Sequence, residues 1–514
     1  MVMKLARALL TLLLFITPSV VSGQTIEQLQ KSIPATSDRA AQSKLYKQLG
    51  DAWVAKDDLG QAAEAYAKAL QLGRDNFTAR ERVQMAIYLS WADRLQESKD
   101  ELNRLLIQES DNIAARTHLA RVLSWSGDLS EAITQADLVL KSSPDHKEAL
   151  LVKADALQWQ GRYLEAIPIY QNLVTRDGGY DARVGLAYSM LAVKNRTAAL
   201  AGMNALKPAN AQQKRELAKL TDAIDRETSP ALEGRYNYYH DSDQNRLNRY
   251  SLLGSFWGGN QKYGLSYRHT DAEDPKRDNR AEDLLLSVSS RLTDRFAGGA
   301  GIGFTQLDDR HTSNFPTGHV RLDARLFGGS AGASVTREAL TDTAELIENR
   351  IRMTNFGLYL DQPLTERFSV HAGYNYKNFS DGNHANDLQL ASQYALILAP
   401  RIVIGYRFRL LDFQKQSHSG FFDPNNYIAN RVFASAYYEN RYFYTYMEGY
   451  IGYETFRRNG AASDNVIHGG AGSIGVKPTA NLAIEVNVEG GNFAAGTASG
   501  FSYFIVGPRL VYRF

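Results

Sequence analysis

Residues 402–411, IVIGYRFRLL, decide how the second half of this chain is read. Ile402, Ile404, Tyr406, Phe408 and Leu410 alternate with Val403, Gly405, Arg407, Arg409 and Leu411, so an extended strand carries an apolar face and a face with two arginines. A helix would scatter both sets around its circumference. The same period of two recurs in Val320, Leu322, Ala324 and Leu326 against His319, Arg321, Asp323 and Arg325. It returns in Phe368, Val370, Ala372, Tyr374 and Tyr376 against Ser369, His371, Gly373, Asn375 and Lys377. Leu482, Ile484, Val486 and Val488 alternate with Ala483, Glu485, Asn487 and Glu489. One apolar and one polar face per strand is the pattern of antiparallel sheet.

Residues 231–514 hold about sixteen such runs. Short turn signals, such as Gly258-Gly259-Asn260, Gly328-Gly329 and Ala399-Pro400, alternate with longer polar stretches at 241–246, 271–280, 308–314, 339–349, 380–386, 413–426, 457–465 and 492–500. Strands of about ten residues, an even strand number and connections alternating in length predict a transmembrane barrel with its short turns on the side where the chain enters and leaves. Aromatics near strand ends, as at Tyr442, Phe443 and Tyr444 or Phe501, Tyr503 and Phe504, fit interfacial girdles. A soluble β-sandwich is the competing reading. The chain ends on an alternating face, Leu510, Tyr512, Phe514, which resembles the terminal strand that barrel assembly machinery recognises.

Upstream, residues 43–209 are rich in Ala, Leu, Gln, Lys and Glu. Small and large apolar residues recur there about every 34 residues, with Ala86, Ala120 and Ala154 in register. Leu49, Gly50, Trp53, Ala62, Tyr66 and Ala69 set the pattern, and Ala154, Leu157, Ala166, Tyr170 and Leu173 repeat it. This predicts about five tetratricopeptide hairpins stacked as a solenoid, a form that usually binds protein. Trp91, Trp125 and Trp159 close successive first helices and belong either to the inter-repeat core or to a stacking surface. The polar segment 210–230 reads as a solvated closing helix and linker, and 24–42 as an N-terminal linker. Residues 1–23, with Lys4 and Arg7 before an apolar run and Val21, Ser22 and Gly23 at its end, read as a secretory leader.

The 514 residues contain no cysteine, which excludes thiol catalysis, disulfide frameworks and Cys-based zinc sites. A formal net charge of +2 gives no reason to expect a nucleic-acid partner. No nucleophile motif or ATP site is found. No catalytic residue, cofactor or metal is expected, and the chain is read as not an enzyme.

If the apolar face meets lipid, the other face lines a lumen. The lining residues are then Arg321, Asp323, Arg325, Asn375, Arg407, Arg409, Glu448, Glu485, Glu489 and Arg509. They either pair across neighbouring strands and stabilise the wall, or line the track of a hydrated solute.

The stretch Gly420-Phe421-Phe422-Asp423-Pro424-Asn425-Asn426-Tyr427, inside the longest loop, resembles stretches in the barrels of exopolysaccharide secretion proteins. The order of leader, repeats and barrel is similar to the poly-N-acetylglucosamine and cellulose export porins, with far fewer repeats, and the barrel resembles the YaiO type. The resemblance implies an outer-membrane export channel for a polysaccharide, with periplasmic repeats docking synthesis or modification proteins. A barrel-anchored scaffold without transport is the alternative, and an outer-membrane enzyme the least favoured. On the export reading Phe421, Phe422 and Tyr427 offer a sugar-stacking face at the outer mouth; otherwise they pack the loop against the wall.

Overall fold

A computed structural model of the chain describes residues 25–176, 179–308, 312–417, 419–458, 460–493 and 502–514. The expected leader at 1–23 and the girdle residue Phe501 lie outside them.

The N-terminal part is built from helices α1 (Ile26–Ala35), α2 (Arg39–Ala55), α3 (Leu59–Gly73), α4 (Ala79–Trp91), α5 (Leu95–Gln108), α6 (Ile113–Ser126) and α7 (Leu129–Ser142). It continues through α8 (Lys147–Trp159), α9 (Tyr163–Thr175), α10 (Gly179–Ala192), α11 (Arg196–Asn204) and α12 (Ala211–Thr228). Caps set the starts: Asp38 accepts from the Ala40 and Ala41 amides, Thr78 and Glu81 form a reciprocal capping box, and Asn112 accepts from the Ala115 amide. Ala62, Ala132 and Ala166 are fully buried between paired helices. Gly50 belongs to the same logic, since a Cβ there would collide with the Tyr66 ring.

Trp125 is buried, and Trp91 and Trp159 pack against the same apolar cluster, so the three indoles fill the core between repeats. His118 lies in this interior with its Nε2 3.1 Å from the Ser90 hydroxyl; burial, aided by Arg121, presses its pKa down to about 3 and keeps the ring neutral.

Two sequence expectations change. Residues 24–42 are not a linker: α1 is capped by Thr25 and Gln28 and buries Leu29 and Ile33, and α2 begins at Arg39. One ten-residue helix with two core residues and Pro34 is too short for its period to stand out. Nor is α12 wholly solvated, because Leu220 and Ile224, one turn apart, are fully buried. The chain separates into two compact units. One runs to Ser189 and includes Ala205–Leu217; the other comprises Met190–Asn204 and Ala218–Phe514.

The second unit contains a closed antiparallel barrel of sixteen strands in sequence order. They are β1 (Ala231–Asp241), β2 (Arg246–Gly258), β3 (Gln261–Asp274), β4 (Arg277–Arg291), β5 (Phe296–Asp308), β6 (Thr312–Leu326), β7 (Gly329–Ala339) and β8 (Arg352–Pro363). The circuit continues with β9 (Phe368–Phe379), β10 (His384–Leu398), β11 (Arg401–Phe413), β12 (Asn425–Glu439), β13 (Phe443–Arg458), β14 (Ala461–Val476), β15 (Leu482–Gly491) and β16 (Tyr503–Arg513). Ala231 opposite Arg513 closes it. The fold is thus an α-solenoid of tetratricopeptide repeats followed by a transmembrane β-barrel.

Leu265, Leu286, Ile302, Val320, Leu358, Val432, Ile451, Val466 and Val486 are exposed on the outer wall, a belt far too large for a surface in water. Closure leaves no open edge to hydrogen-bond, which is what allows strands to cross a bilayer. No helix among the described residues is long and apolar enough to do so.

The strands are longer than the expected ten residues, reaching sixteen in β13 and β14. Most of the polar stretch 271–280 is ladder, with Asp271 opposite Arg280 and Glu273 opposite Asp278, and most of 457–465 pairs likewise. Strand ends that rise out of the lipid belt carry charges on both faces and so read as loops. At the end opposite the chain's entry, described residues of the connections at 340–351 and 414–424 join a buried apolar cluster.

Candidate functional site

The ten residues expected to line a lumen, Arg321 to Arg509, all lie on the face of the wall opposite the exposed apolar belt. There they are held in pairs. Arg407 grips Glu448 two-pronged at 2.5 and 2.8 Å, and its guanidinium lies 3.9 Å from the Phe433 ring centroid. Arg409 does the same to Asp387, with two bonds of 2.9 Å, and Lys377 adds a third at 2.9 Å. Arg509 binds both oxygens of Glu233 across the closing seam. Arg321 bonds Asp323 at 2.6 Å, and Tyr359 donates to the same oxygen at 2.5 Å. Arg325 caps the Asp294 carbonyl at 3.2 Å, and Asn375 accepts from Asn355 at 3.0 Å.

The acids on the β12–β16 side share a partner type. Tyr444 donates to Glu485 at 2.5 Å, Tyr446 to Glu448 at 2.6 Å, Tyr503 to Glu489 at 2.6 Å and Tyr427 to Glu454 at 2.8 Å. A tyrosine hydroxyl bonded to a carboxylate keeps the acid anchored; at the half-buried Tyr444 and Tyr446 the ring flank stays available to a hydrated guest, whereas Tyr427 and Tyr503 are buried.

Asp387, only 1% exposed and the centre of the Lys377–Arg409 cluster, was missed because 380–386 reads as a loop. The polar members Asp387, Gln389 and Gln393, alternating with Leu388 and Leu390, are the signal that finds it. Tyr359 and Glu233 were missed too, since a partner on another strand leaves no mark in local sequence.

Phe421, Phe422 and Tyr427 do not form an open sugar-stacking face. Phe421 is 1% exposed and stacks on Phe379 with ring centroids 4.7 Å apart; Phe422 meets Phe456 edge-on at 5.4 Å. They join one apolar cluster with Tyr239 of β1, Ala281 of β4, Phe379 of β9, Phe413 of β11, Phe456 of β13 and Tyr503 of β16. Wall residues of neighbouring strands carry the cluster round the ring, as Tyr239 opposite Leu247, Leu247 opposite Ala272, Ala281 opposite Leu307 and Met353 opposite Phe379. Two connections add to it: the described residues of 414–424, with their phenylalanines, and 340–351 with a short helix, α13 (Ala344–Glu348), whose Ala344, Leu346 and Ile347 are fully buried. The rings are therefore packing groups inside the long-loop end of the barrel.

The facing assignment has a direct test, helped by the absence of native cysteine. Arg407→Cys in proteoliposomes is expected to react with a small water-soluble thiol reagent, and Tyr406→Cys to be protected by lipid. The opposite labelling pattern would mean a one-residue register shift, which exchanges every side chain between faces.

No protein family and no curated protein matches the sequence. Solved structures with a similar fold include "Bacterial polysaccharide outer membrane secretin", at 11% identity and a TM-score of 0.45, covering 55% of this chain and 98% of that one. CdiB from Acinetobacter baumannii aligns at 10% identity over 55% of this chain and 60% of its own, with a TM-score of 0.37. A tetratricopeptide repeat protein from Parabacteroides merdae aligns at 17% identity and a TM-score of 0.34, covering 39% of this chain and 78% of that chain.

Proposed function

We propose that this protein is an outer-membrane channel for export of an exopolysaccharide, with its repeats on the periplasmic side docking the proteins that make or modify the polymer. The observation that carries the reading is the inner wall: ion pairs neutralised within the wall, interleaved with tyrosine–carboxylate pairs. A wall whose charges are already paired does not grip an ion strongly. Hydroxyls, carboxylates and aromatic flanks can still exchange hydrogen bonds and stacking with sugar rings, a combination suited to a polymer that must slide.

The reading assigns no catalytic step and no cofactor to the chain. Cells lacking it should retain polysaccharide in the periplasm and release several-fold less to the medium, measured by sugar analysis of both fractions. Equal release with and without the protein would sink the export role.

The scaffold alternative, in which the barrel only anchors the repeats, is favoured by one feature: the aromatic cluster packed inside the long-loop end. Complementation separates the two. A scaffold would work with a lumen narrowed by Ser473→Trp and Asn487→Trp, which share the face of Glu485 and Glu489, and an exporter would not.

A further inference from the structure

We propose that residues 341–350, the connection between β7 and β8, are a hinged lid that gates the barrel, closed in this structure by an ionic latch on Arg277. The wall does not need this segment. β7 and β8 pair continuously from Ser330 opposite Asp361 to Ala339 opposite Arg352, and Leu340 N donating to the Ile351 carbonyl at 2.8 Å seals the base. Beyond that base the chain is free to swing as a unit, since no backbone ladder fixes it to another strand. At one hinge Arg350 sits in the left-handed region at φ 54°, a conformation costly for a non-glycine residue.

What holds the lid down is a set of ion pairs at its rim and an apolar underside. Arg277 on β4 binds Glu348 at 2.5 Å and Glu345 at 3.3 Å, and Arg249 on β2 binds Asp342 at 3.2 Å. Asn279 donates to the Ala344 carbonyl at 2.8 Å. Three buried apolar side chains make the underside, packed toward β3, β4 and β5. The second inward loop leans on the first: Asn349 donates to the Ser419 carbonyl at 3.0 Å. Gly420, at φ 95°, has room for no Cβ without displacing the Glu345 side chain. Lifting 341–350 therefore removes the strut under the aromatic loop, while every strand of the wall keeps its partners.

The test is electrical, on the full chain in planar bilayers. Wild type is expected to be silent most of the time with brief openings. Arg277→Gln should raise the open fraction at least about ten-fold with unchanged unit conductance, and replacing 341–350 by a short Gly-Ser link should give a steady current. Heat-modifiable migration on gels checks that each barrel is folded. If the replacement variant does not fold, Arg277→Gln decides alone, with Asn349→Cys and Ser419→Cys added to it: a reducible thiol cross-linker should silence that variant and reductant should restore its openings. Folded variants with wild-type current, or cross-linking without effect on current, would overturn the lid. The proposal rests on the channel reading only in requiring a lumen. Normal gating with no polysaccharide export would overturn that reading and leave the lid standing.

Discussion

Glu101→Ala is expected to destabilise the repeat region by about 3–5 kcal/mol, because it strands a buried guanidinium. Arg82 on α4 and Glu101 on α5 meet at 2.5 Å, each side chain about 4% exposed. Arg82 also donates to Gln108 at 2.6 Å, and Arg74 adds a weaker contact to Glu101 at 3.5 Å. With the carboxylate gone, Arg82 cannot shed its proton to escape the low-dielectric interior, since a guanidinium stays charged throughout the accessible pH range. Replacing both partners, as Arg82→Met with Glu101→Leu, should recover most of the loss, because the cost lies in the unpaired charge rather than in the missing bond. Urea unfolding followed by far-ultraviolet circular dichroism measures both. A loss below about 1 kcal/mol for the single variant would show that water reaches Arg82. The effect should spread, because each repeat is stabilised chiefly by its neighbours.

The largest functional effect is expected from removing residues 43–189. That cut keeps Met190–Asn204 and Ala218–Phe514, which form one compact unit with the barrel. The shortened chain should insert, migrate heat-modifiably and pass the same current as the full chain, while polysaccharide release falls to the level of cells without the protein. The reasoning is one of local concentration: a partner held by the repeats delivers polymer at the channel entrance without binding the barrel tightly. Supplying the repeats as a separate chain should restore little, because the tether is the point. Normal release from the shortened chain would remove the docking role and leave a bare channel.

Why some features were legible in sequence and others were not follows from how far apart the cooperating residues lie. The period of two in 402–411 survives because lipid on one side and a wet interior on the other act on each strand independently of its neighbours. The inner face of Arg407 and Arg409 could therefore be assigned from ten residues. The helical repeats were legible for a similar reason, since each copy restates the same packing of Gly50 or Ala62 against large partners. Strand ends such as Asp271 and Arg280 were misread because charge marks exposure to water and says nothing of ladder pairing.

The 341–350 segment is marked in the sequence. Thr343 caps α13 by accepting from the Leu346 amide at 3.1 Å, and Leu340, Ala344 and Ile347 recur at helical spacing within a stretch that otherwise reads as polar loop.

The sequence by itself determined the two-part architecture, the strand faces and the absence of cysteine chemistry, because each is written in residues a few positions apart and enforced by water or lipid. Tertiary structure alone decided which charges pair, as Arg409 with Asp387 22 positions away and Arg509 with Glu233 276 away, and that Phe421 and Phe422 are buried in an apolar cluster instead of facing out. Those outcomes depend on which strands the closed ring brings together and which loops fold back into it. An isolated phenylalanine in a polar loop gains as much by packing under its own barrel's rim as by meeting a sugar, and only the surrounding walls determine which it does.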